Sequence, residues 1–351
     1  MKLDMNLQSF SDINIKVFEK VIKQSLKIDS LHPEKILVIG DVGQESKASP
    51  IISSAYYRAA RNLGLKTEIC IQNHKFSTDY LDVVLAKQLK SLPRNSVIII
   101  NVSNKMGKYD SLNLSFRKFC AKYGHRPLSS SGLKNLKVED INHFISALDV
   151  DFKDQHNRGE KIKKELDQAK ELIVQTDIGT DLLFDISGRK AINNSGVYDI
   201  LGKGGNMPAG EVYIPPVETK TNGLLAIDGS LRTWKKTIIP SEPVVVEIKD
   251  GVISKIRNSQ MSKLLKDTIA WSVRRSKFHP EYSRTVSEFG LGTNKNAKLI
   301  GTTIIDEKKY GTAHVAFGSN AWFGGKIKCR THFDQVFKKP TLRIDGKLFR
   351  T

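Results

Sequence analysis

Apolar residues recur at three-to-four spacing in Val17, Val21, Ile22 and Leu26, the period of one helix face. The pattern then shortens. Lys35 to Gly40 reads KILVIG, a buried strand closed by glycine, and helical spacing resumes from Ile51 to Leu63 before stopping at Gly64. KTEICIQ (Lys66 to Gln72) predicts a second strand, Tyr80 to Leu92 a helix, and Ser96 to Val102 a third strand. Strand and helix alternate three times, which argues for a parallel sheet covered by helices. From His125 to Gln155 the chain reads as loop, with RPLSSSGL and several aspartates, and a charged helix through Ala169 follows with Ile162 and Leu166 inward.

Beyond that helix the texture changes. LIVQTDIGTDLLFDISGR, EVYIPPVE, GLLAIDGS, PVVVEIKDGVISKI, AKLIGTTIID and HVAFG are short, often alternating segments separated by Gly, Asn, Asp and Pro, which are strand and hairpin signals. One clear helix covers Met261 to Arg275. The expected fold is therefore α/β, with an N-terminal parallel-sheet α/β domain over residues 1–155 and a C-terminal β-rich (α+β) domain over residues 156–351.

With 351 residues and 39% hydrophobic content, the chain is long enough for two buried cores and is not a disordered one. Purely apolar runs are short, as in Val97 to Ile100, whereas a membrane-spanning helix needs about 20 such residues. The opening MKLDMNLQSF lacks an apolar signal core. The expectation is a cytoplasmic protein with no membrane partner. Cys70, Cys120 and Cys329 show no CxxC spacing, so neither a disulfide framework nor a thiolate zinc site is indicated.

Fifty-six Lys plus Arg against 37 Asp plus Glu give a formal charge of +19. Such an excess can attract nucleic acid, which makes a basic nucleic-acid-binding protein the alternative from a different class. The basic residues are nevertheless scattered, as in Lys235 and Lys236, Arg274 and Arg275, Lys308 and Lys309, and Lys338 and Lys339. No helix-turn-helix, zinc finger or aromatic-interleaved RNA motif accompanies them, so they read as solvated surface. GDVGQES at Gly40 has neither a third glycine at the dinucleotide spacing nor a GK[ST], and reads as a plain strand-to-helix turn.

Chemistry concentrates in the second half. Of the eight histidines, His332 stands two residues before Asp334 in CRTHFDQV, and residues two apart in a strand share a face. His314 lies in GTAHVAFG, among small and apolar residues. Glu211 opens an apolar strand in NMPAGEVYIPP, and Glu288 stands beside Gly290 and Gly292 in SEFGLGTN. Burying such acids without a cation or a hydrogen-bonding partner is costly, whereas imidazole and carboxylate ligands reach a metal ion at about 2 to 2.5 Å. Two readings stand at this point: turn-facing acids with a core histidine, or a metal site.

The series GTDLLFDISGR, GGNMPAGEVYIPPVE, SEFGLGTN, DEKKYGTAHVAFGSN and HFDQV followed by PTLRIDGK resembles the aminopeptidase T/S, or thermophilic metalloprotease, family. The resemblance is strong over residues 170–351 and weak before them. It implies a homodimeric, metal-dependent aminopeptidase-like hydrolase that cleaves a small peptide or amide with water activated by two divalent ions, Zn, Co or Mn. Carried over by motif, Glu211, Glu288, His314, His332 and Asp334 are the metal ligands, with Glu211 or Glu288 available as catalytic base. The family's catalytic tyrosine, expected shortly after His314, is missing from VAFGSNAWFGG; Tyr310, just before that histidine, is the candidate in its place. The superfamily also resembles 2,5-dihydroxypyridine dioxygenases, in which two histidines and one carboxylate hold a single non-heme Fe(II). One of those histidines corresponds to Glu288. Five potential ligands including three carboxylates point to the hydrolase, and His279 keeps the Fe(II) ring-cleaving dioxygenase as the alternative.

Overall fold

The computed structural model describes residues 13–76, 78–109, 115–276 and 279–350, so MKLDMNLQSF lies outside the described residues. The chain forms two units. The first comprises Met1–Asp149 with Gly196–Pro208, the second Val150–Ser195 with Ala209–Thr351. The fold is mixed α/β, a parallel-sheet unit and an antiparallel β-rich one.

In the first unit, five parallel strands run in the order Thr67–Gln72, Ile36–Asp41, Val97–Val102, Arg126–Ser131 and Gly205–Asn206. Ile36–Asp41 and Val97–Val102 are buried along their whole length, as central parallel strands covered on both faces must be. Helix Ala48–Asn62 follows the first of them, and the helix expected over Tyr80 to Leu92 is confined to Val83–Lys90. The loop expected from His125 to Gln155 is corrected: it contains strand Arg126–Ser131, helix Ile141–Leu148 and the start of helix Phe152–Gln168. RPLSSS conceals a strand because two of its three inward residues are polar. Ser130 Oγ donates to the Met207 carbonyl at 2.7 Å, and the Arg126 guanidinium donates to the carbonyls of Leu26 and Leu31. Those partners make the burial tolerable.

GDVGQES is a structural turn. The buried Asp41 carboxylate accepts from the Gly43 amide at 3.0 Å and from the Ser103 amide and hydroxyl, both at 2.7 Å. Gly43, at φ +82°, supplies the left-handed backbone that the turn needs.

His125 is fully buried between the rings of Phe119 and Tyr123, at 5.0 and 5.8 Å. Burial, reinforced by Arg94, lowers its pKa to about 4. The unfolded chain binds that proton near 6.5, so the stability held above pH ~6.5 is lost as pH falls toward 4, by up to about 3 kcal/mol. His125→Phe is expected to flatten the pH dependence of the urea midpoint in this range. An unchanged slope refutes the assignment.

The second unit is built from two seven-stranded antiparallel sheets. One runs Val252–Ile256, Val244–Lys249, Asn222–Ile227, Asp181–Asp185, Glu171–Gln175, Thr341–Ile344, Lys347–Phe349. The other runs Thr237–Ile238, Ser230–Arg232, His332–Lys338, Thr312–Gly318, Val286–Gly292, Glu211–Ile214, Ile192–Asn194. Leu172, Val174, Phe184 and Leu225 of the first sheet share one core with Val212, Phe289, Val315 and Phe337 of the second. Phe184 and Phe289 meet at 5.3 Å between ring centroids. Helix Gln260–Arg275, opened by a Ser259–Ser262 capping box, buries Leu265 and Ile269 against this core. Among the described residues, no helix is long and apolar enough to cross a membrane.

Candidate metal centre

Four adjacent strands of the second sheet carry the candidate ligands: Glu211–Ile214, Val286–Gly292, Thr312–Gly318 and His332–Lys338. Their register places Gly292 opposite Glu211, Gly290 opposite His314, Ala316 opposite both Glu288 and Asp334, and Gly318 opposite His332. Residues directly opposite one another share a face. Phe289, Leu291, Val315 and Phe317 alternate with them and join the core, so the polar set projects from the other side. Small residues on that face leave it room. At Gly290 an added Cβ would lie 2.2 Å from both Cε1 and Nε2 of His314, so the imidazole lies against a position that only glycine can fill.

The side chains converge on Glu288. Its Oε1 lies 3.2 Å from His314 Nε2 and its Oε2 3.4 Å from His332 Nε2. His332 Nε2 is also 3.0 Å from Asp334 Oδ1, and His314 Nε2 is 3.9 Å from Glu211 Oε2. His332 Nδ1 donates to the Ser319 carbonyl at 2.8 Å, the outer hydrogen bond that orients a metal-ligating imidazole. His314 Nδ1 is buried, and no residue among those described accepts from it. Two groups have ligand atoms close enough to share an ion: Glu211, Glu288 and His314, and Glu288, His332 and Asp334.

Residues outside the expected set complete the cluster. Lys308 is wholly buried, its ammonium 2.5 Å from both Glu211 Oε1 and Glu307 Oε1. The expectation of a solvated surface lysine is corrected there, because Glu211, far away in sequence, and the neighbouring Glu307 together take it inward. Asn194 Nδ2 donates to Glu211 Oε1 at 3.0 Å. Ser230 and Leu231 pair with Val336 and Gln335, which brings Arg232 alongside Asp334. The Trp322 ring meets His332 edge-on, centroids 5.0 Å apart. The one signal that could have revealed Lys308 is its place in DEKKYG, directly before the His314 strand.

Burial dominates the electrostatics, and the charges respond to it. Desolvation would depress both imidazoles, yet Glu288 and the flanking acids raise His314 to about 9, and Asp334 and Glu288 raise His332 well above its ordinary value. Burial would likewise raise Asp334 and Glu288, but the two imidazoles hold both below the usual range. Glu307 is pushed up, first by burial and then by Asp334 and Glu211. Four carboxylates, Glu211, Glu288, Glu307 and Asp334, face two permanent cations, Lys308 and Arg232. The carboxylates and imidazoles gathered here make a donor set that a divalent cation fits.

Two candidates remain to be placed. Tyr310 has its ring 5.7 Å from the Arg158 guanidinium, and its amide donates to the Asn294 carbonyl. His279 is exposed, 3.0 Å from Glu281 Oε1 and stacked on Tyr282; it belongs to neither ligand group among the described residues.

The family model NicX, described as 2,5-dihydroxypyridine 5,6-dioxygenase, matches residues 19–350. No curated protein matches the chain significantly. Among solved structures, the 2,5-dihydroxypyridine dioxygenase of Pseudomonas putida superimposes with a TM-score of 0.72 at 18% identity, covering 95% of this chain and 94% of that one. AmpT from Thermus thermophilus gives a TM-score of 0.60 at 15% identity, covering 95% and 96%. At such identities the structural likeness speaks for a shared fold. The family match overturns the expected aminopeptidase-like hydrolase. The two solved structures share the fold with this chain and so do not by themselves separate the two activities, whereas the tyrosine absent after His314 points away from the peptidases.

Proposed function

Because the chain belongs to the NicX family of 2,5-dihydroxypyridine 5,6-dioxygenases, we propose that it is a metal-dependent dioxygenase opening a hydroxylated aromatic heterocycle, with Glu288, His332 and Asp334 holding Fe(II). The observation that carries this reading is the family match along almost the whole chain, joined to a partly buried ligand group whose imidazole is already oriented from outside.

When bound, a ferrous ion supplies the one-electron chemistry through which dioxygen and an aromatic ring can react. The chain's own residues prepare the place. Ser319 accepts the Nδ1 proton of His332 and so leaves Nε2 for the ion. Arg232 favours the ionised form of Asp334. Ala316 and Gly318 give a low floor beside the ligands, and the half-exposed Trp322 next to His332 offers an aromatic wall to a planar substrate.

The ligand group has one imidazole and two carboxylates, where iron oxygenases of the facial-triad type use two imidazoles and one carboxylate. A carboxylate-richer set suits hard divalent ions, so reconstitution is to be done with both Fe(II) and Mn(II). The test combines anaerobic loading, metal analysis and an oxygen electrode with a panel of dihydroxypyridines. Oxygen uptake matched to loss of the aromatic absorbance is the expected result. A fully loaded protein that consumes no oxygen with any hydroxylated pyridine sinks the proposal.

A further inference from the structure

We infer that the buried ammonium of Lys308 takes the place of a second metal ion and keeps the centre mononuclear. The inference rests on the reading of Glu288, His332 and Asp334 as a metal centre. Two ligand groups sharing Glu288 form the outline of a two-metal site, in which a carboxylate bridges ions about 3.5 to 4 Å apart. Their surroundings are not equivalent.

In the group containing Glu211 and His314, one carboxylate oxygen is already engaged. Glu211 Oε1 receives Lys308 Nζ at 2.5 Å and Asn194 Nδ2 at 3.0 Å. The Lys308 side chain is 1% exposed and also meets Glu307 at 2.5 Å, so its charge is fixed by two acids and is not screened by solvent. A divalent ion on Glu211 would share a carboxylate with that ammonium, and like charges at such separation repel strongly where water is excluded. His314 adds an independent observation. Among the described residues, none supplies its Nδ1 with the outer acceptor that a metal-bound imidazole ordinarily has, whereas His332 has one in the Ser319 carbonyl. The second group is thus equipped as a metal site, and the first holds an internal cation.

The test is metal stoichiometry, read by equilibrium dialysis against Mn(II) with elemental analysis, for the wild type, Lys308→Gln and the double variant Lys308→Gln/Glu307→Gln. The double variant also removes the charge of Glu307, which loss of the ammonium would leave unpaired, so it keeps the test available where the single variant does not fold. The expected result is one ion per chain in the wild type and two in each folded variant. Two ions in the wild type, or one ion in folded variants with wild-type circular dichroism, overturns the inference. A wild type that binds none overturns the metal-centre reading itself, and this inference with it.

Discussion

Replacing Glu288 with alanine is expected to lower metal affinity by about 100-fold or more and to abolish turnover with it. Both carboxylate oxygens are in use, one facing His314 at 3.2 Å and one facing His332 at 3.4 Å, so the substitution removes the group shared by the two ligand sets. It also leaves imidazoles and acids without their common partner in a buried place. Breaking a buried ionic arrangement in this way costs about 3 to 5 kcal/mol, and the melting temperature should fall in the metal-free protein as well. Glu288→Gln separates the two effects. The amide keeps the shape and most hydrogen bonds but lacks the charge, so the fold should survive while metal affinity is still lost. Elemental analysis after dialysis and a thermal melt decide the matter; wild-type occupancy in Glu288→Ala would show that Glu288 is not a ligand.

Gly290→Ala should be nearly as disruptive although the change is a single methyl group. That methyl would stand 2.2 Å from two ring atoms of His314, far inside van der Waals contact, on a strand buried along its entire length. Either the imidazole or the strand has to move. Overpacking of this kind costs typically about 1 to 3 kcal/mol, and movement of the ring would carry Nε2 away from Glu288. The cause can be isolated by a double-mutant cycle. In a His314→Ala background the obstruction is gone, so Gly290→Ala should cost much less there. Equal costs in the two backgrounds would assign the effect to the strand backbone rather than to the imidazole.

The parts of the molecule legible in the sequence share a physical reason. Residues 36–39 and 97–100 are apolar without interruption because these strands are buried along their length, and such runs have few other readings. Arg126–Ser131 was not legible, since its inward Arg126 and Ser130 depend on carbonyls of Leu26, Leu31 and Met207, partners that no local pattern announces. The same division holds at the candidate site. Glu288, His314, His332 and Asp334 stand out as polar residues among small and apolar ones. Lys308 does not, because a lysine next to Lys309 reads as surface until Glu211 and Glu307 are placed beside it. Arg232 enters the neighbourhood of Asp334 only through strand pairing. The activity was the least legible layer: five candidate ligands read as a two-metal hydrolase, and the family match over residues 19–350 overturned that reading.

The alternation that separates ligands from core on the His332–Lys338 strand also makes metal retention a record of how the chain folded. A slip of one residue would turn His332 and Asp334 inward and bring Phe333 and Gln335 to the ligand face. Such a molecule could still be compact, yet it would have no place for the ion. With an ion held as proposed, a metal count would sort correctly threaded sheets from near misses of the same size, and the ion would serve as the final proofreader of the fold.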